Sequence, residues 1–406
     1  TGQQDIVSEG QFATSAFTAG QLFIPSLSPS LATSVRSTDY AYTSEFQPET
    51  ETLSGLLPDD AVLTRTYEDG TGTNGLIGRA AGYDLFTGGT SSVSSASYTY
   101  DTAGRLQTVS DGTDDFTYGY LADTRNQLAS MTGPVHTVSY SYEPGRNAMT
   151  GIENKETVGT ETVVSDYRYT YNALGQRVDR EQSGTAFAAT TTDSFTYDYL
   201  GQVTASTNDT ETGSAWSPSY TYDEIGNRSG NTVDLNGTTS YTQDLLNQYT
   251  AVGADTPTYD ADGNLTSKGA WTYSWNGENR LVEATNGTVT IEFTYDYQGR
   301  LVEKDDGANV EVYIYDGWNR IAKYVDATLD STYLYGLDLS GSMQGAGGVG
   351  GLLKEGNRYP TYDANGNIVQ KLNSSGGTDM AVVYDPFGSI IDGTLVGEYG
   401  FSTKPL

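Results

Sequence analysis

Tyr100-Asp101-Thr102-Ala103-Gly104-Arg105-Leu106 decides the fold, because the chain keeps repeating it. Tyr222-Asp223-Glu224-Ile225-Gly226-Asn227-Arg228 and Tyr295-Asp296-Tyr297-Gln298-Gly299-Arg300-Leu301 are further copies. Variants stand at Tyr171-Asn172 with Gly175, Tyr197-Asp198 with Gly201, and Tyr259-Asp260 with Gly263. Others are Tyr315-Asp316, Tyr362-Asp363 with Gly366, and Tyr384-Asp385 with Gly388. Neighbouring copies are mostly about 20 to 30 residues apart, a period that signals a stacked or spiralling array of small units.

Each unit has a local physical reading. Alternating residues precede the corner, as in Ser97-Tyr98-Thr99-Tyr100, so Tyr98 and Tyr100 share one face of a strand and Thr99 takes the other. Asp then bonds its own backbone two residues on, and Gly accepts positive φ, so Asp-x-x-Gly turns the chain. A second strand follows, such as Arg300–Lys304, and often ends at Asp-Gly or Asn-Gly: Asp111-Gly112, Asn286-Gly287, Asp306-Gly307. These dipeptides favour two-residue hairpins. The expected fold is all-β, an array of antiparallel hairpins forming one continuous spiralling sheet, as a hollow shell or barrel-like segment.

Composition narrows the choice. Of 406 residues, 36% are hydrophobic, 32 are Tyr and 48 are Gly. Tyr pairs an apolar ring with a polar tip that wants a partner or water, which favours a single sheet wetted on both faces. A plain Tyr-rich β-sandwich is the alternative. No Cys is present, so no disulfide framework exists. No run reaches the roughly 20 apolar residues of a membrane helix, and no membrane insertion is expected. The formal net charge of −31 opposes binding to nucleic acid and anionic membranes.

Along the chain, residues 1–94 read as an irregular N-terminal segment with degenerate repeats. Residues 95–335 read as the repeat array, and 336–406 as a Gly-rich loop plus the last repeats. Trp271-Thr272-Tyr273-Ser274-Trp275-Asn276 keeps the corner with Trp-Asn in place of Tyr-Asp.

The array resembles the YD-repeat, or Rhs (rearrangement hotspot), family. Besides the repeats, the resemblance rests on Val312–Ile321, with the Gly-rich stretch through Gly351, and on Tyr384-Asp385-Pro386-Phe387-Gly388 followed by Phe401-Ser402-Thr403-Lys404. It implies a long sheet wound into a hollow shell, as in insecticidal toxin complexes and teneurins. In bacterial members such a shell encloses a C-terminal toxin or effector, and a core with an aspartyl self-cleavage motif follows the last repeats. Asp385-Pro386 belongs to a repeat, so the cleavage role is not carried onto it. The expected function is therefore a non-enzymatic, exported bacterial shell segment, extracellular or at the cell surface. Its expected partner is its own C-terminal core or cargo, which is missing here. The alternative is an adhesin or filament subunit that pairs with copies of itself.

Candidate chemistry is weighed against the turns. Gly345-x-Gly347-x-x-Gly350 matches a dinucleotide fingerprint formally, but Leu352–Asn357 offers no helix after it. Tyr259–Asn264 and Tyr362–Asn367 open like calcium loops. Their twelfth positions, counted from Asp260 and Asp363, are Trp271 and Ser374 rather than Glu. His136 is the only histidine and reads as a strand residue. No cofactor, metal or catalytic residue is assigned. Arg105, Arg177, Arg228, Arg280, Arg300 and Arg320 recur just after the corners, and are expected to pair with the Asp of adjacent units.

Overall fold

The computed structural model describes residues 6–9, 36–71, 75–122, 126–210, 217–234 and 237–405. Antiparallel strands succeed one another in chain order, each paired with its sequence neighbours. They form ladders of 15, 3 and 14 strands. Bridges at Ala205–Ser219, Tyr222–Arg228 and Val252–Asp255 carry the succession across the two joints. The described residues contain no α-helix, and one 3-10 turn spans Phe401–Thr403.

The reading of residues 1–94 as irregular is corrected from residue 36 onward. Strands Arg36–Tyr42, Pro48–Ser54, Ala61–Tyr67 and Ala80–Thr87 are regular and continuous with the array. Their corners lack Asp-x-x-Gly, which hid them. The Thr43–Gln47 turn uses the Thr43 hydroxyl as acceptor where later corners use Asp. Residues 1–5 and 10–35 lie outside the described residues.

The strip coils onto itself. Residues of the first pass meet residues of a second pass in the same order: Arg36 with Glu303, Arg65 with Asp316, Lys354 with Asp111, Ser165 with Gln370, and Arg180 with Tyr384. These partners are 267 residues apart at the start and 204 at Arg180. One buried cluster holds Leu63, Leu85, Val109 and Phe116 of the first pass with Ile314, Leu352, Ile368 and Leu372 of the second. A sheet wetted on both faces is thus the wrong picture where the passes meet. Apolar residues on alternate positions close against the other pass, since burying them removes apolar surface from water.

Candidate functional site: the corner array and the face it covers

The repeated corner is a closed hydrogen-bond unit. Asp101 Oδ1 accepts from Ala103 N and Arg105 N, both at 2.9 Å. Asp198, Asp223, Asp260, Asp296, Asp363 and Asp385 each accept from the residues two and four positions later in the same way. Asn172 and Asn276 do so with an amide oxygen. Gly104, Gly175, Gly201, Gly226, Gly263, Gly299, Gly366 and Gly388 all have positive φ, and each donates its N–H back to the corner Asp or Asn carbonyl. These local bonds satisfy backbone groups that leave the ladder at the bend. Amide donors hold some carboxyls below their usual range, first Asn227 at Asp223 and Asn264 at Asp260. Asp316 departs from the pattern. It closes a tight hairpin opposite Asn319, and its carboxylate accepts from Arg65 of the first pass at 2.8 Å.

The Tyr before the corner does more than fill a face. The ladder shifts register at most of them, for example between Thr99 and Tyr100 and between Thr196 and Tyr197. Its hydroxyl then donates backwards to a carbonyl at the previous bend. Tyr120 reaches Leu106 O, Tyr197 reaches Arg177 O, Tyr222 reaches Val203 O, Tyr315 reaches Leu301 O, and Tyr384 reaches Ile368 O. Tyr100, Tyr171 and Tyr362 make the same kind of bond, and Trp275 makes it with its indole N–H. Burial raises the phenol pKa at Tyr100, Tyr197, Tyr222, Tyr295 and Tyr315, which keeps the donor proton in place.

The Arg expectation holds at Arg280, which donates to the Asp296 carbonyl of the next corner, and needs correction elsewhere. Arg105 and Arg300 bind the Asp of their own corner, at 2.7 and 2.6 Å, rather than that of an adjacent unit. Each then lies over the Tyr of the next corner, Arg105 over Tyr120 at 4.1 Å and Arg300 over Tyr315 at 5.2 Å. Spacing four residues apart across a bend favours the short reach. Arg177 and Arg228 instead cross between passes, Arg177 to Asn365 and Arg228 over Phe387.

Second-pass corners are seated on first-pass strands. The Tyr297 hydroxyl meets that of Tyr40 at 2.7 Å, Tyr169 OH accepts from Ala364 N, and Phe387 packs edge-on against Tyr220. Asp296, Asp363 and Asp385 are accordingly buried. The first-pass corners expose their apolar residues, among them Leu174, Tyr199, Ile225 and, at a further corner on Asp244, Leu246.

A further cluster was missed in the sequence. The segment Leu395–Thr403 lies across the second pass as a strap. Glu398 accepts from Arg320 and Tyr333 and pairs with Lys323. Its backbone N–H donates to Glu355, and Lys371 donates to Val396 O. Lys371 and Glu355 form a buried ion pair, and burial first of all lowers the lysine pKa. Burial alone would raise the Glu398 carboxyl, but Lys323, Tyr333 and Arg320 hold it below its usual range. The one sequence signal was Lys371, a charged residue beside the apolar Ile368, Val369 and Leu372.

The other candidate motifs resolve into structure. Asp338 gathers the Gly-rich loop by accepting from the N–H groups of Ser340, Ala346 and Gly348. The oxygens of Asp260 and Asp363 are engaged by their own corners. His136 is fully buried beside Phe116 and Gly133.

Comparison with known proteins agrees with this geometry. A family model described as the teneurin YD-shell matches residues 153–394. The tRNA3(Ser)-specific nuclease WapA of Bacillus spizizenii is 27% identical over 180 residues, 42% of this chain and 7% of that protein. The tRNA nuclease WapA of Bacillus subtilis is 38% identical over 82 residues, 19% of this chain and 4% of that protein. The TcdB2-TccC3 crystal structure superposes with a TM-score of 0.57 at 15% identity, covering 92% of this chain and 20% of that one. The Photorhabdus luminescens Tc holotoxin pore gives 0.57 at 16% identity, covering 92% and 19%. The chain thus spans under a tenth of the curated relatives and about a fifth of the solved chains.

Proposed function

Because this chain belongs to the teneurin YD-shell family, we propose that it is a non-enzymatic wall segment that encloses or presents a toxin or effector joined C-terminal to it, outside the cell or on its surface. The observation that carries this is the coil itself. Second-pass residues meet first-pass strands from Arg36–Glu303 to Phe387–Tyr220, so the polypeptide makes a curved wall rather than a cleft. The nuclease activity of the WapA proteins is theirs. We take the shared part to be carrier, since a net charge of −31 repels RNA.

The test is cargo protection. A protease-sensitive reporter is fused after Leu406 and digested under native conditions. The reporter should survive digestion that destroys it when free. Equal cleavage rates for fused and free reporter would overturn the enclosing role.

A second reading, a self-assembling adhesin or filament subunit, is favoured by the exposed apolar residues at the first-pass corners.

A further inference from the structure

The two passes present the same receiving face, and each face is filled differently. At four places on the first pass, the residue two before the corner Tyr receives a second-pass corner. Tyr40 receives Tyr297, Arg65 receives Asp316, Tyr169 receives Ala364, and Tyr220 receives Phe387. An aromatic ring, a carboxylate or, at Ala364, a backbone N–H enters from a corner, and a tyrosine or arginine meets it.

Of the equivalent second-pass positions, Phe293, Tyr313, Tyr333, Pro360 and Val382, two carry tyrosine. Among the described residues, no corner meets Tyr313 or Tyr333. Instead Tyr333 donates to Glu398 and packs its ring against Tyr399 at 5.3 Å and 68°. Arg320, which lies over Tyr313 at 3.7 Å, binds Glu398 at 2.9 Å. The strap thus supplies an acid and an aromatic ring where a corner would supply them.

Unseated corners of matching chemistry stand on the first pass. Tyr199 follows Asp198 as Tyr297 follows Asp296, yet Tyr199 is 90% exposed and Tyr297 only 38%. Leu200, Ile225 and Leu246 hold the place that Phe387 holds after Asp385, and they are 52%, 74% and 77% exposed against its 44%. Their corner carboxylates are complementary to the Arg320 and Lys323 charges under the strap.

We propose that the second-pass face around Tyr313, Arg320, Lys323 and Tyr333 is an acceptor for a YD corner of a second copy of this chain. The strap fills it in cis, as a corner mimic, and keeps copies from stacking. With the strap lifted, the Tyr199–Leu246 corner row of one copy docks there on another. The contact is head-to-tail and leaves both complementary surfaces free at the ends, so it propagates.

Sedimentation velocity of the whole chain across a concentration series tests this. Wild type should remain one species. Glu398→Ala with Tyr399→Ala should associate at a concentration at least about tenfold lower, equivalent to ~1.4 kcal/mol. A synthetic strap peptide of residues 394–404 should reverse the association. Adding Tyr199→Lys and Leu246→Lys, both at exposed positions and of like charge to Arg320 and Lys323, should abolish it. A second variant deletes residues 394–406 and removes the strap outright, with circular dichroism reporting retained β-structure. The proposal is overturned if the deleted form stays a single species, if wild type already stacks equally, or if the corner substitutions leave association unchanged. These outcomes are separate from cargo protection, which is read on the unassociated protein.

Discussion

Asp and Asn exchange freely at the corners, which isolates the atom that matters. Asn172 and Asn276 hold the same two backbone N–H groups as Asp101 or Asp385, so the requirement is one side-chain oxygen rather than a charge. This much was legible in the sequence, because an Asx turn is a property of five consecutive residues. His136 was visible only as a lone histidine, and its setting depends on strands far apart in sequence. Buried beside Phe116, without a partner on either ring nitrogen, it has a pKa pushed down to about 4 by burial alone. Its folded value lies below the unfolded one, so its contribution is full above about pH 6.5 and is lost as pH falls toward 4. His136→Leu should therefore lose less stability than wild type between those pH values, by up to about 3 kcal/mol. Urea denaturation of both proteins at pH 7 and pH 4.5 checks this, and parallel pH profiles would refute it.

At the scale of the element, a strand pair is joined to the next by one phenol. The alternation in Tyr98-Thr99-Tyr100 told which face each ring takes, but not that the second hydroxyl reaches back to the previous bend. That bond depends on the register shift at the corner, which alternation cannot reveal. The same shift explains the Arg correction, since it brings Arg105 and Arg300 within reach of their own Asp. Tyr315→Phe removes the donor to Leu301 O and leaves the ring in place. The loss should be about 1 kcal/mol, nearer 2 if no water reaches the carbonyl. The same substitution at Tyr273, whose ring lies two before Trp275 on the strand Trp271–Trp275, serves as the comparison. Equal midpoints for wild type and Tyr315→Phe in denaturant would show that the phenol is only packing.

At the scale of the molecule, the two passes are held by partners more than 200 residues apart, and no local pattern announces them. The repeat count showed an array; it did not show where the array returns upon itself, nor that residues 36–87 belong to it. The strap was equally hidden, because its meaning lies in what it covers. Its anchor is the buried Lys371–Glu355 pair, with Glu355 also holding Glu398 N and Lys371 holding Val396 O. Breaking one half of a buried pair strands the other charge, so Lys371→Met should cost about 3–5 kcal/mol. The loss should concentrate in the second pass and strap, read by hydrogen exchange over residues 352–403. Unchanged protection there would refute the anchor.

Corners that close on their own Asp and lean on the bend before them ask nothing of residues not yet made. Hairpins can therefore set in order as a nascent polypeptide emerges, each one templated by its predecessor, with small loops to close. Only the docking of one lap on the other must wait for the full length. Such a wall can assemble vectorially, from its first bend to its last.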